Sequence, residues 1–204
     1  EVGLTNNFLD DDILDIIEDE NLNEEEIKKL EDSGSKIIEV LKRDERLDKI
    51  AQDIAHHFPR RGFLGKGMVV SVDKFTAVKM YDKVQHYWDL EKKQLIIERS
   101  NAETKEERDE IKARLDYMNN VEMAVIISED TDEEKKFAEQ GLNIKPHRDK
   151  MNAVVDGADI EDRFKDKKDP LQLVFVCAMW LTGFDVPNLS TLYLDKPMKG
   201  HTLM

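Results

Sequence analysis

Four short apolar runs interrupt an otherwise highly polar chain. They span residues 68–72, 123–127, 171–176 and 191–194. Runs of this length with few polar residues are typical of strands that are buried on both faces of a sheet. More than a dozen residues separate the first three runs, and such connections favour parallel pairing. The pattern therefore predicts an α/β fold with three layers and a mainly parallel sheet.

Helical periodicity fills the connections between these runs. The clearest case is an apolar face repeating every three or four residues, formed by Leu47, Ile50, Ala51, Ile54, Ala55 and Phe58. Further helices are predicted over residues 75–88, within the charge-dense stretch 90–120, and over 159–165. Thr131 and Glu134 have capping-box spacing, which predicts a helix that ends at Gly141. Residues 142–158 show no regular pattern, and we expect irregular structure there.

The first 44 residues differ from the rest in charge. Residues 10–32 contain twelve acidic and two basic residues, and the whole chain has a net charge of −14. We interpret residues 1–44 as an acidic helical linker or appendage, with an arm that docks on a basic partner as the alternative. The remaining residues, 45–204, contain all four predicted strands and form the second predicted domain.

Composition excludes several classes of site. The single cysteine, Cys177, lies within an apolar run, which indicates a core thiol and a reducing compartment such as the cytoplasm. The five histidines show no metal-ligand spacing, and no apolar run is long enough to span a membrane. We therefore predict no metal site, no membrane association and no catalytic residue within this chain.

A glycine-rich basic loop, residues 60–67, precedes the first predicted strand. A Walker phosphate loop would follow a strand and open a helix, so this segment does not fit that motif. Positive charge clusters only at Arg60, Arg61, Lys66 and Lys74. A strong salt-sensitive grip on nucleic acid needs several such residues together.

A polar turn, Thr182-Gly183-x-Asp185-x-Pro187, follows the third and most apolar strand. Ligands of open α/β sheets bind just beyond the carboxyl ends of strands. The glycine permits close backbone approach, the threonine hydroxyl suits a phosphate, and the carboxylate suits a ribose hydroxyl. On residue chemistry alone, a turn that merely shapes the connection explains the pattern equally well.

The stretch from Leu173 to Met198 resembles motif V of superfamily 2 helicases, and most closely the motor (R) subunit of type I restriction enzymes. Two parts of it carry the resemblance, Thr-Gly-Phe-Asp at residues 182–185 and Leu-Tyr-Leu-Asp-Lys-Pro at residues 192–197. Residues 67–74 resemble motif IV of the same subunit, and residues 123–128 resemble its next core strand. The resemblance covers roughly residues 45–204 and implies the second RecA-like lobe of an ATP-dependent motor.

The resemblance also implies residue roles. Asp185 and Gly183 would belong to the cofactor site, with Asp185 reaching the ribose of ATP. Thr182, Ser71, Asp73 and Lys74 would face DNA. ATP and Mg²⁺ would be bound mainly by a first lobe, and motif VI would follow Met204, so we expect the chain alone to be inactive.

The resemblance implies that the intact protein is an ATP-dependent translocase on double-stranded DNA. Its translocation would be coupled to endonucleolytic cleavage, and it would assemble with methylation and specificity subunits. Two alternatives stay open at this point. One is a lobe of another superfamily 2 DNA helicase, and the other is a non-catalytic α/β interaction module.

Overall fold

The computed structural model describes residues 38–62, 65–177, 179–180 and 185–196 of the 204-residue chain. The chain forms two compact units, residues 1–47 and 48–204. Within the first unit, Arg46 Nη1 donates a hydrogen bond to the carbonyl oxygen of Leu41 at 3.1 Å. The predicted acidic linker falls largely outside the described residues, so that assignment and its boundary at residue 44 stay predictions.

One or more helices separate the first three strands of the second unit, and β4 follows β3 directly. In chain order the elements are α1 (Asp44–His57, which begins in the first unit), a 3-10 turn (Phe58–Arg60), β1 (Lys66–Ser71), α2 (Lys74–Asn101), α3 (Lys105–Asn120), β2 (Glu122–Ile126), α4 (Glu133–Glu139), α5 (Lys145–Asn152), α6 (Ile160–Lys165), β3 (Leu171–Val176) and β4 (Leu189–Asp195).

The four strands form one sheet in the order β2-β3-β1-β4, and every neighbouring pair is parallel. In the register, Val69 of β1 lies opposite Phe175 of β3 on one side and Tyr193 of β4 on the other. The predicted parallel α/β fold is confirmed, and all four predicted strands are present.

Helices cover both faces of the sheet, which gives three layers. On one face, alternate residues of β1, β2 and β3 pack with Ile160 and Phe164 of α6. On the other face, Tyr81 of α2 contacts the ring of Phe175, with 5.5 Å between ring centroids. Because side chains alternate across a strand, the fully buried pattern of β1 requires helices on both sides.

The α2–α3 pair accounts for the charge-dense stretch. Its first member is a 28-residue helix, Lys74–Asn101, and its second begins at a capping box in which Thr104 and Glu107 bond reciprocally. Trp88 Nε1 donates to the carbonyl oxygen of Met118 at 3.1 Å and ties the two helices together.

Two local predictions are wrong. The capping box at Thr131 does not form, because α4 begins after Asp132, which adopts a left-handed φ of 58° and makes no side-chain cap bond. Residues 145–152, predicted as irregular, form α5. The sequence shows no helical periodicity in this segment. A tertiary contact stabilises the helix instead, because Arg148 Nη1 donates to the carbonyl oxygen of Ile127 at 2.8 Å.

Candidate nucleotide and DNA-binding edge

The carboxyl ends of all four parallel strands lie at one edge of the sheet. Polar residues follow each strand at this edge: Asp73 and Lys74 after β1, Asp130 after β2, Cys177 after β3 and Lys196 after β4. Charged residues thus follow three of the four strands, and a thiol follows β3, at the edge where open α/β sheets bind ligands. We call this the carboxyl edge.

The predicted residues at the carboxyl end of β1 and just after it have distinct structural settings. Ser71 is fully buried, and its Oγ has no hydrogen-bond partner among the described residues. Asp73 is the N-cap of α2 and accepts a hydrogen bond from the amide of Thr76 at 2.7 Å. Lys74 is the first residue of that helix. Asp73 therefore stabilises the start of α2 through this capping bond.

Two lysines that sequence reasoning missed lie near the same edge. Lys136 of α4 bonds Asp130 Oδ2 at 3.0 Å, and this bond lowers the pKa of the Asp130 carboxyl, with a smaller contribution from the charge of Lys74. The charges of Lys196 and Lys74 also act on the half-buried thiol of Cys177, although burial is the larger effect and raises its pKa. Lys196 directly follows β4, which was an available signal, whereas Lys136 lies within α4 and only its bond to Asp130 brings it to this edge.

The basic cluster expected at residues 60–74 does not exist as one surface. Lys74 lies at the carboxyl edge, whereas Arg60, Arg61 and Lys66 lie at the amino end of β1. Arg60 is ion-paired with Glu91. Since β1 spans the whole sheet between Lys66 and Lys74, the four cations cannot grip one phosphate group.

Arg61 is held by packing and hydrogen bonds. Its guanidinium carbon lies 3.4 Å from the centroid of the Phe58 ring. Nη1 donates to Thr191 Oγ1 at 2.7 Å, and Nη2 donates to the carbonyl oxygen of Gly65 at 2.8 Å. Burial lowers the pKa of Arg61. This arginine fastens β4 to the turn before β1.

Lys66 is a buried structural lysine with 1% of its surface exposed. Its Nζ donates to three carbonyl oxygens, those of Leu171 at 2.7 Å, Arg163 at 2.9 Å and Asp169 at 3.3 Å. Burial lowers its pKa to about 8. The strand begins at Lys66 rather than at residue 68 because these bonds allow a lysine to lie in the sheet.

Asp185 lies in the connection between β3 and β4, and its side chain is exposed. The neighbouring Val186 is buried in the cluster formed with α6. Thr182 and Gly183, also predicted as site residues, lie outside the described residues. An exposed carboxylate is accessible to a ligand hydroxyl, which fits the predicted contact with a ribose.

Within residues 38–62, 65–177, 179–180 and 185–196, no group of three or more His, Cys, Asp or Glu side chains could hold a metal ion. None of the helices in that part of the chain is both long and apolar enough to cross a bilayer.

A sequence model of the type I restriction enzyme subunit R domain 3 family matches residues 66–204. The chain belongs to this family. The matched region includes all four strands and every predicted site residue.

Relatives with curated names agree with the family. The chain is 30% identical over its whole length to a putative type I restriction enzyme MjaIXP endonuclease subunit of Methanocaldococcus jannaschii, and covers 16% of that protein. Over 45 residues, 22% of the chain, it is 67% identical to the type I restriction enzyme HindI endonuclease subunit of Haemophilus influenzae, covering 4% of it. It is also 27% identical over 187 residues, 91% of the chain, to 15% of the M. jannaschii MjaVIIP endonuclease subunit. The chain therefore spans only a small part of these relatives.

Proposed function

We propose that this chain is the second RecA-like lobe of a type I restriction enzyme R subunit. In the intact cytoplasmic protein it would be half of an ATP-dependent translocase on double-stranded DNA, coupled to endonucleolytic cleavage. Its partners would be DNA and the methylation and specificity subunits. Membership of the subunit R family, with the match spanning the entire sheet, is the observation that carries this proposal.

The carboxyl edge supports a binding role. Lys74, Lys136 and Lys196 lie close enough to Asp130 or Cys177 to act on them electrostatically, and they supply positive charge for a phosphate backbone. Ser71, Asp73 and Lys74 would lie on the DNA-facing side, together with Thr182. The hydroxyl of Ser71 is buried and Asp73 caps α2, so Lys74 is the member of this set best suited to contact a phosphate.

ATP with Mg²⁺ would lie between this lobe and the first RecA-like lobe, which would bind it mainly. Asp185 would accept a hydrogen bond from the ribose, and Gly183 would let the backbone approach the nucleotide closely. Mg²⁺, when bound, would supply positive charge that stabilises the γ-phosphoryl group of ATP during its transfer to water. Lys66 cannot supply the phosphate-gripping amine, because it is buried at the opposite end of β1 and bonded to three carbonyl oxygens.

ATP hydrolysis by the intact protein tests the assignment of Asp185. We expect Asp185→Ala to raise the KM for ATP about tenfold, as for the loss of one hydrogen bond worth about 1.4 kcal/mol. Asp109→Ala, which removes an exposed carboxylate from α3, serves as the matched control. An unchanged KM and an unchanged rate in Asp185→Ala would favour the non-catalytic interaction module instead.

A further inference from the structure

We propose that Arg148 is a positioning residue that holds Lys136 beside Lys74, so that the two lysines together contact the backbone phosphates of duplex DNA. The inference rests on the proposed function in taking DNA as the ligand of the carboxyl edge. Its structural part concerns the connection between β2 and α4, residues 127–132, all of which the structure describes.

Two phenylalanine rings bring the lysines together. Phe137 of α4 and Phe75 of α2 pack with 4.7 Å between ring centroids, and each directly follows one of the lysines, Lys136 and Lys74. The exposed carboxylate of Asp130 lies within reach of both charges. Lys136 Nζ bonds its Oδ2 at 3.0 Å, which lowers the pKa of the carboxyl, and the charge of Lys74 adds to this effect. Two cations thus share one exposed anionic group, and a backbone phosphate would offer them the same kind of partner.

Arg148 fixes both ends of the connection that leads from β2 to α4. At the end of β2, its Nη1 donates to the carbonyl oxygen of Ile127 at 2.8 Å, and its Nη2 donates to that of Ser128 at 3.3 Å. At the start of α4, Nε and Nη2 donate to the two carboxylate oxygens of Glu133 at 2.9 and 2.8 Å. A bidentate pair of this kind constrains orientation as well as distance. Every nitrogen atom of the guanidinium already donates a hydrogen bond, so we assign the phosphate contact to the lysines and the positioning to Arg148.

The start of α4 has no cap of its own. Asp132 precedes the helix with a left-handed φ of 58° and makes no side-chain cap bond. The helix has only seven residues, and helices of that length are not stable in isolation. Contacts with other elements must therefore determine where α4 lies, and Arg148 and Phe137 supply two of them.

α5, the helix that carries Arg148, is itself anchored at two points. His147 packs edge to face on Tyr81 of α2, with 4.8 Å between ring centroids. Near the other end of α5, Lys150 pairs with Glu122 of β2 at 3.5 Å. α5 thus forms a fixed base, from which the guanidinium holds the start of α4.

The salt dependence of duplex DNA binding by the intact protein measures the contribution of each residue. One phosphate contact adds about 0.9 to the slope of log K against log salt concentration. Lys136→Ala should lower this slope by about 0.9, and Lys135→Ala, which removes the neighbouring exposed lysine, should lower it less. Arg148→Ala should lower the slope as much as Lys136→Ala does. Combining these last two substitutions should lower it no further, because both remove the same contact.

Glu133→Ala separates positioning from charge. It breaks the bidentate pair and removes a negative charge beside the proposed phosphate contact. A purely electrostatic role predicts tighter DNA binding in this variant, whereas loss of positioning predicts weaker binding and a lower slope. Hydrogen exchange at the Lys136 amide, which donates to the Asp132 carbonyl oxygen at 3.1 Å, should become about tenfold faster in Glu133→Ala and in Arg148→Ala. Glu133→Ala also provides the test if Arg148→Ala does not fold.

Arg163→Ala is the control for general stability. It removes another buried arginine, which bonds Asp169 and Glu122 away from the carboxyl edge, and it should leave the slope unchanged. All variants are compared only where far-UV circular dichroism matches the wild type. A lower slope in Arg148→Ala and Glu133→Ala, absent from Arg163→Ala, supports the inference.

Three results overturn it: additive losses in the double variant of Arg148 and Lys136, tighter binding in Glu133→Ala, or an equal loss in Arg163→Ala. A lower slope in Lys74→Ala together with an unchanged slope in Lys136→Ala would also overturn the inference, while the proposed function would stand. If neither lysine affects the slope, DNA does not contact this edge, and the DNA-facing part of the proposed function fails with the inference.

Discussion

Lys66 allows the energetics of this fold to be tested through pH. Its ammonium is buried among three backbone carbonyl oxygens, and burial lowers its pKa from 10.5 to about 8. The folded protein therefore holds this proton less tightly than the unfolded chain. Between pH 8 and 10.5 the unfolded state binds more protons, so the contribution of Lys66 to the free energy of unfolding rises with pH.

The size of the effect follows from the two pKa values. The contribution is close to zero at pH 7, about 1 kcal/mol at pH 9 and about 2–3 kcal/mol at pH 10. Lys66→Met fills a similar volume but does not titrate. The difference in unfolding free energy between wild type and variant should consequently widen in favour of the wild type as pH rises.

Urea denaturation of both proteins, followed by far-UV circular dichroism at pH 7, 8, 9 and 10, measures that difference. Any constant offset from the lost hydrogen bonds cancels when the four pH values are compared. Parallel pH profiles would mean that the ammonium keeps its ordinary pKa, and a gap that narrows above pH 8 would mean that the carbonyl oxygens hold the proton more tightly than water does. Either result refutes the reasoning.

Two further substitutions test local structure by denaturation. A Cβ at Gly67 would collide with the Phe58 ring, so Gly67→Ala should lower the free energy of unfolding by about 1–3 kcal/mol. Gly62→Ala is the control, because a Cβ there would meet nothing within 4 Å. Equal losses of unfolding free energy in the two variants would contradict this packing. Asp73→Ala removes the hydrogen bond that caps the Thr76 amide and should lower the free energy of unfolding by about 1 kcal/mol. Asp73→Asn can still accept that bond and should keep most of this stability. A loss in Asp73→Asn as large as in Asp73→Ala would show that the charge of Asp73, and not its capping bond, stabilises the fold.

The sheet could be predicted from sequence because its strands are nearly continuous apolar runs. β3 shows this best, since five of its six residues are buried and its predicted bounds match the structure. Periodicity also located the helix around Ile54 and the short helix that contains Phe164. These elements depend on local patterns, which one sequence contains.

Other features depend on contacts between distant residues. α5 forms where Arg148 reaches the end of β2, and β1 extends to Lys66 because α6 and β3 supply carbonyl oxygens. From the sequence pattern alone, Arg148 and Lys66 would both be expected to be solvent-exposed cations. The same limitation led to the wrong prediction of a single basic cluster. Its cations are close in sequence, but the full length of β1 separates Lys74 from the other three in the structure.

The candidate site was predicted in part. Motif resemblance selected Asp185 and residues at the carboxyl end of β1. The structure places Asp185 in the connection between β3 and β4, Ser71 at the last position of β1 and Asp73 at the N-cap of α2. The resemblance could not indicate Lys136, which reaches the carboxyl edge through its bond to Asp130.

Displacement of a triplex-forming strand from linear double-stranded DNA by the intact protein tests the central claim, because only an enzyme that moves along the duplex removes the third strand. The account predicts displacement that requires ATP, is strongly reduced in Asp185→Ala, and is retained in Asp109→Ala. Displacement that proceeds equally well in Asp185→Ala, or an isolated 204-residue chain that hydrolyses ATP by itself, would contradict the assignment of this chain as half of a motor.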